Sequence, residues 1–401
     1  MVLERYSSYV YHCSQCGWCR LTLDYNFSVD KVCPVYENYP EHWESLTAKG
    51  KIILAKALLE NKIEVTEDVV ELATLCTTCG KCRESCMVYL PWKAGYFKKV
   101  EIDTVKIIEA LRAEICKRNP NLLPQPYRQI LERVKVYKNP YAEPSHKSLA
   151  WLPSNIPLRE KGEIVYFAGC TSPYRHPEIC ISTIKVLYAA NVLPAVVDEW
   201  CCGSILLRTG QWDYVETLAR HNAEELKKAG AKMVITSCAG CYKTFKTDYP
   251  EILGRLWDFE VLHMAEFVEE LIEKGSLKLH NNLNMKVTYH DPCHLGRHSG
   301  VYDAPRNVLK SIPGLELIEM QSTRNLAMCC GAGGGLKAAF NNLAIQIGVE
   351  RVKAAKAVGA ETLTSACPFC KHNLVDAIKM FNTNLEFYDL SEIVARAASK
   401  P

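Results

Sequence analysis

The chain has 401 residues, 48% of them hydrophobic and 23% charged, which suits two to four domains with full cores and excludes a disordered or collagen-like chain. Its 48 basic and 45 acidic residues leave a formal charge of +3, with none of the excess basicity of a nucleic-acid or anionic-membrane binder. No apolar stretch reaches the roughly 18 residues that span a bilayer, and the start MVLERYSSYVYHC lacks the basic head and apolar run of a signal peptide. These features predict a soluble, cytoplasmic chain. Against that background 20 cysteines are abnormal. Disulfides would need an oxidising compartment, so metal or iron–sulfur ligation is the better account.

In chain order, two tight cysteine clusters come first, within segments of helical periodicity such as 53–61 and 105–117. Cys13, Cys16 and Cys19 are followed by Cys33, and Cys76, Cys79, Cys82 and Cys86 read C-x2-C-x2-C-x3-C. The second run is the ferredoxin spacing, whose last cysteine crosses to the neighbouring cube in two-cluster proteins. Cys13, Cys16, Cys19 and Cys86 are therefore assigned to one [4Fe–4S] cube, and Cys76, Cys79, Cys82 and Cys33 to the other. Two features depart from the usual run. Residues 20–32 form an inserted loop ahead of Cys33, and Met87 stands where proline is usual. Structural zinc is the alternative for C-x2-C pairs, but two triple runs favour iron–sulfur.

Seven prolines between 120 and 157 mark a linker. The sequence predicts a helical, ferredoxin-like domain over 1–130, a proline-rich linker over 131–160, and two duplicated domains over 161–280 and 281–401. The duplication rests on the remaining cysteines. Cys170, Cys201-Cys202-Gly203 and Cys238-x2-Cys241 form one set; Cys293, Cys329-Cys330-Gly331 and Cys367-x2-Cys370 form the other. Corresponding cysteines (170 and 293, 201 and 329, 238 and 367) lie 123–129 positions apart. Short apolar runs at 163–170, 232–238, 285–293 and 361–367 alternate with helical patterns such as 211–229 and 337–357, which predicts βα units around parallel sheets. The cysteines then fall at or just after the C-terminal ends of strands, where open α/β sheets place their ligands. Five sulfurs are one too many for a regular cube or a tetrahedral zinc, so each set suits a larger or distorted cluster, with a four-cysteine zinc site plus a bystander as the alternative. Cys116 and Cys180, within helical patterns, read as buried inert thiols.

The stretches FAGCTSPY, EWCCG, SCAGCYKTF, HDPCHLGR, AMCCGAGGG and ACPFC resemble the cysteine-rich CCG domains of heterodisulfide reductase. With the dicluster segment in front, the whole chain resembles the D-subunit family of that enzyme. The fold this implies is multidomain α+β / α/β: a helical dicluster ferredoxin-like domain followed by two Rossmann-like CCG domains. The resemblance further implies two non-cubane [4Fe–4S] clusters facing a substrate cleft, one on Cys170, Cys201, Cys202, Cys238 and Cys241, the other on Cys293, Cys329, Cys330, Cys367 and Cys370. The expected activity is reduction of a disulfide of the coenzyme M–coenzyme B type by electrons passed through the two cubes, the ten CCG cysteines being catalytic as cluster ligands. The alternative is an electron-transfer subunit of another redox complex, linked to an aromatic acyl-CoA reductase or to an acyl-CoA or 2-hydroxy acid dehydrogenase. No flavin or nicotinamide motif is present, so electrons come from a partner: a flavoprotein, a ferredoxin-type subunit or a membrane cytochrome b, the last holding the chain at the inner face of the membrane.

Lesser signals surround the clusters. His290 and His294 bracket Cys293 and are candidate proton donors to a thiolate product. Arg175, Lys243 and Arg297 read as solvated charges within reach of an anionic substrate group. Trp18, Trp43, Trp92 and Trp200 read as apolar shielding. GAGGGLK at 331–337 fails the P-loop pattern, because Lys337 follows Leu336 and precedes Ala338. It reads as backbone pressed against a cluster.

Overall fold

The computed structural model describes residues 2–23, 29–96, 102–144, 149–152 and 159–398. By contacts the chain divides into two compact units: Met1–Leu131 with Ile205–Asp213 and Ser322–Arg351, and Glu132–Ser204 with Tyr214–Gln321 and Val352–Pro401.

The first unit is mainly helical. The helix Thr104–Arg118 is its axis, started by Asp103, whose carboxylate accepts from the N–H groups of Val105 and Lys106 at 2.9 and 3.2 Å. Its apolar face (Ile107, Leu111, Ile115) packs with Leu3, Ile52 and Val70 into a core. Ile52 comes from the helix Ala48–Leu59, capped by Thr47, and Val70 from Glu67–Thr74, capped by Thr66. The insertion before Cys33 is an antiparallel hairpin, β1 (Leu21–Leu23) against β2 (Val29–Lys31); residues 24–28 lie outside the described ones. A helix also covers Gln125–Tyr137, so part of the expected linker is helical. Pro126 stands in its first turn, where a missing N–H costs nothing. Pro153 and Pro157 lie outside the described residues. The expected helix over 337–357 is instead two, Leu336–Ala339 and Asn341–Ala357, broken at Phe340.

The second unit carries two parallel sheets. One has the order β3 (Ile164–Tyr166), β4 (Met233–Thr236), β5 (Glu260–His263). A bridge from Val165 to Ala195 extends its β3 edge. Of the remaining strands, β6 (Met285–His290), β7 (Leu315–Leu317), β8 (Thr362–Ser365) and β9 (Glu386–Asp389), the second sheet has the order β7-β6-β8-β9. With Ala195 standing where β7 stands, the two sheets have the same plan. Their registers agree as well: Ile164 pairs with Met233 and Val287 with Thr362, positions 123 and 129 apart, the spacing of the cysteines. Right-handed βα crossovers bury both faces of such sheets, which is why β4 and β8 are buried along almost their whole length. The helices Pro177–Ala189 and Leu390–Ala398 pack together between the repeats. Cys170, Cys238, Cys293 and Cys367 follow the C-terminal ends of β3, β4, β6 and β8.

The units differ from the division expected in chain order at 130/131 and 280/281. Residues 205–213 and 322–351 count with the N-terminal helices. Main-chain groups of both segments are tied into the first unit by hydrogen bonds from one buried arginine.

Candidate metal centres

In the first unit the eight N-terminal cysteines fall into two groups. Cys13, Cys16, Cys19 and Cys86 line one cavity, and Cys33, Cys76, Cys79 and Cys82 another. The crossing of Cys86 and Cys33 thus matches the ferredoxin exchange. Backbone N–H groups point at the sulfurs: Lys49 donates to Cys19 at 3.2 Å, Thr78 to Cys76 at 3.3 Å and Tyr89 to Cys86 at 3.4 Å. Cys16 is exposed, whereas Cys79 is buried. Burial pushes the Cys33 thiol up to about 12, against the opposing pull of the Lys51 ammonium.

The CCG motif has one local geometry in both repeats. The glycine after the cysteine pair has φ of +82° at Gly203 and +91° at Gly331, a turn that side chains resist. Its N–H folds back onto the first sulfur, Gly203 to Cys201 at 3.5 Å and Gly331 to Cys329 at 3.3 Å. In the second repeat the loop runs on into Gly333 and Gly334, which lie on the ferredoxin-type run. A Cβ on Gly334 would sit 2.4 Å from the carbonyl oxygen of Cys76, and one on Gly333 2.6 Å from that of Thr77. The glycine-rich segment is therefore backbone laid against the Cys76 loop, within one unit.

Arg112 holds this junction. It is fully buried, and all five of its N–H bonds go to main-chain carbonyls. Nε donates to Ala73 at 2.8 Å; Nη2 to Thr74 at 2.9 Å and Cys76 at 2.8 Å; Nη1 to Arg208 at 2.6 Å and Gly334 at 2.7 Å. Arg208 in turn pairs with Glu109 at 3.0 Å.

In the second unit the five thiols of the first set are connected: Cys170 to Cys201, Cys201 to Cys202, Cys202 to Cys241 at 3.4 Å, and Cys241 to Cys238. Glu199, half-buried, clamps the loop ahead of Cys170 by accepting from the N–H groups of Ala168 and Gly169 at 2.8 and 2.7 Å, and desolvation pushes it up to about 8. The set does not end at Cys238. Hydrogen bonds from Cys238, then from Cys370, hold the Cys367 thiol well below its usual range, so the C-x2-C motifs of the two repeats meet sulfur to sulfur. Of the second set, Cys293, Cys367 and Cys370 belong to this unit, while Cys329 and Cys330 belong to the first. His290 is buried, with a ring nitrogen within 4.8 Å of the Cys370 sulfur; Cys293, His294 and His298 are half-buried and equally close to one another. Asp291, beside them, makes a two-pronged ion pair with buried Arg306 at 2.7 and 2.9 Å, which fixes the HDPC turn.

The donor set fits iron–sulfur chemistry. All 20 cysteines are free thiols; eight of them line two cavities in fours, and those of the first CCG set are five connected sulfurs where a tetrahedral ion takes four.

Other expectations change. Trp18, 37% exposed, lines the cavity of Cys13, Cys16, Cys19 and Cys86, whereas Trp43, 50% exposed, lines neither N-terminal cavity; Trp200 stacks on His221 at 3.7 Å. The side chain of Trp92 lies outside the described residues. Lys243 and Arg297 are buried, not solvated: Lys243 pairs with Asp248, while Arg175 pairs with Glu143 at 3.1 Å over the Tyr141 ring. Cys180 is buried, but Cys116, in the last turn of its helix, is only half-buried.

Sequence reasoning missed Lys51, Arg112, Glu199 and His263. His263 ends β5, is 1% exposed, and burial drives its pKa down to about 4. Its counterpart at the end of β9 is Asp389, which burial pushes up to about 7. Only the 126-residue offset between them could have signalled the pair.

Comparison with known proteins agrees with this geometry. Residues 9–90 match the family described as a 4Fe-4S dicluster domain, and 164–246 and 287–375 each match the cysteine-rich CCG domain. The chain is 38% identical to the D subunit of the dihydromethanophenazine:CoB–CoM heterodisulfide reductase of Methanosarcina mazei, over 96% of this chain and 93% of that one. It is 40% identical to the Methanosarcina barkeri protein of the same name, over 88% and 84%. Among solved structures, a hypothetical protein from Helicobacter pylori aligns with a TM-score of 0.56 at 12% identity, covering 92% of this chain and 71% of that one, a likeness of fold.

Proposed function

The chain belongs to the D-subunit family of heterodisulfide reductases, and from that premise we propose that it is the iron–sulfur subunit that reduces a disulfide of the coenzyme M–coenzyme B type within a larger complex. The observation that carries the proposal is the meeting of two thiol sets: five connected sulfurs in one repeat, in contact through Cys238 with Cys367 of the other. In this reading Cys13, Cys16, Cys19 and Cys86 hold one cube and Cys76, Cys79, Cys82 and Cys33 the other. Cys170, Cys201, Cys202, Cys238 and Cys241 hold one non-cubane cluster and, by the repeat, Cys293, Cys329, Cys330, Cys367 and Cys370 the second. Taken along the repeats in chain order, the domains are 1–130, 161–280 and 281–401 with a linker over 131–160, a division that the contact units cut across.

Bound clusters supply single electrons and iron that accepts thiolate sulfur. The chain's own residues do the rest. The glycine N–H groups at 203 and 331 and those of Lys49, Thr78 and Tyr89 hold sulfur charge in place. Glu199 and the Asp291–Arg306 pair fix the loops that carry Cys170 and Cys293. His290 and His294 stand beside the second set as donors of the proton each product thiolate takes up. Among the described residues no helix is long and apolar enough to cross a membrane. In this reading a partner subunit supplies the electrons: a flavoprotein, a ferredoxin-type subunit or a membrane cytochrome b, the last also attaching the chain to a membrane.

The test is anaerobic turnover of a mixed disulfide by the iron-loaded chain with a reduced viologen dye. Oxidation of dye that depends on disulfide, and falls at least tenfold in Cys238→Ser, is expected. Full iron loading without turnover would instead make the chain an electron-transfer subunit.

A further inference from the structure

The two N-terminal cavities differ in charge. Lys51 is the one charged side chain lining the cavity of Cys33, Cys76, Cys79 and Cys82 among the described residues. It is 1% exposed, and its ammonium donates to the carbonyl of Leu46 at 2.5 Å, the same carbonyl that accepts from the Cys33 thiol at 3.7 Å. No carboxylate pairs with it among the described residues. A second buried cation, Arg112, lies one carbonyl away from the same loop, bonded to Cys76 at 2.8 Å, and it too has only carbonyl partners. The other cavity is different. Its charged lining residue, Lys49, reaches solvent and pairs with Glu44 at 3.0 Å, and one of its thiols, Cys16, is exposed.

A buried cation without a counter-ion is costly unless the site it faces is anionic. Four thiolates around a cube supply that anion, and reduction adds one further negative charge. A fixed cation at the cavity wall therefore favours the reduced form, with several times the leverage it would have in water.

We propose that Lys51 makes the cube held by Cys33, Cys76, Cys79 and Cys82 the higher-potential of the two, so that electrons entering at the partly exposed cube settle on the inner one. From there the Cys76 loop passes directly against Gly334 and the second CCG loop. The proposal rests on the ligand assignment given above, and the experiment separates the two.

Full-length, iron-loaded protein is titrated anaerobically while the two cube signals are followed by electron paramagnetic resonance. Iron per chain is measured on the same samples, and Cys33→Ser identifies the inner-cube signal. In Lys51→Met and Lys51→Gln the midpoint potential of the inner cube falls and that of the outer cube stays. Lys51→Gln keeps a donor for the Leu46 carbonyl, so a shift common to both variants is an effect of charge. Full iron with an unmoved inner potential overturns the role of Lys51. If neither variant retains the inner cube, the wild-type titration decides, because an inner cube with the lower potential overturns the proposal. Wild-type protein lacking one cube signal, or a Cys33→Ser change that alters neither, would overturn the ligand assignment instead.

Discussion

Arg112 and Asp389 are both buried, at 0% and 1% exposure. Arg112 places five N–H bonds on five main-chain carbonyls from three separate stretches of chain. Arg112→Met would leave those carbonyls dry and unpaired, at a cost of about 3–5 kcal/mol. A large fall in the urea midpoint checks this; an unchanged midpoint would show that water replaces the guanidinium. Asp389 is fully buried, and burial raises its pKa to about 7 even though Ser391 donates to it through both N–H and hydroxyl at 3.0 and 2.7 Å. Glu392 and Lys371 are the charged groups that act on it. Below the ordinary aspartate range both folded and unfolded chains carry the proton. As the pH rises from about 4 to 7 the unfolded chain releases it first, so the folded state loses stability across that window. Asp389→Asn removes this loss, and the melting temperature at pH 8 is expected to rise relative to wild type, with little change at pH 4. An equal difference at both pH values would contradict the assignment. Little of this was legible in the sequence. Lys51 and Arg112 occupy helical segments, AKGKIILAKALL and TVKIIEALRAEICKR, in which a cation ordinarily reads as the solvated face. The cysteines announced themselves because their spacing is itself the ligand geometry.

At the scale of elements, the strands and helices around the CCG motifs followed from short apolar runs alternating with helical periods, and β3, β4, β6 and β8 stand where those runs predicted. The exceptions have local causes. The insertion before Cys33 pairs with itself as a short hairpin, a local pairing that composition does not reveal. The 337–357 pattern breaks at Phe340, whose backbone (φ -134°, ψ 59°) leaves the helical region between Leu336–Ala339 and Asn341–Ala357. The glycine-rich loop makes its own prediction. Gly334 has φ +62° and no room for a Cβ beside the Cys76 carbonyl. Gly334→Ala is expected to destabilise the fold by about 1–3 kcal/mol and to alter the spectrum of the Cys76 cube while leaving that of the Cys13 cube. A spectrum unchanged in both cubes would mean that the loop does not bear on the Cys76 thiol.

Over the whole molecule, the duplication was readable from ten cysteines and returned in the sheets, which share strand order and a 123–129-residue offset. The division into units by contact was not readable. Hydrogen bonds from Arg112 to Arg208 and Gly334 draw two CCG segments into the ferredoxin-type unit, and a sequence carries no mark of where a buried arginine's donors go. The joining of these segments to the Cys76 loop places the Cys13 group, Cys82, Cys76 and the glycine-rich loop after Cys330 in sequence inside one unit, the route electrons take in the proposed function. All of this presumes that the CCG thiols bind iron, which metal analysis of the anaerobically purified chain tests most directly. Four clusters require about 16 iron per chain with negligible zinc; about 8 iron with two zinc would contradict the account.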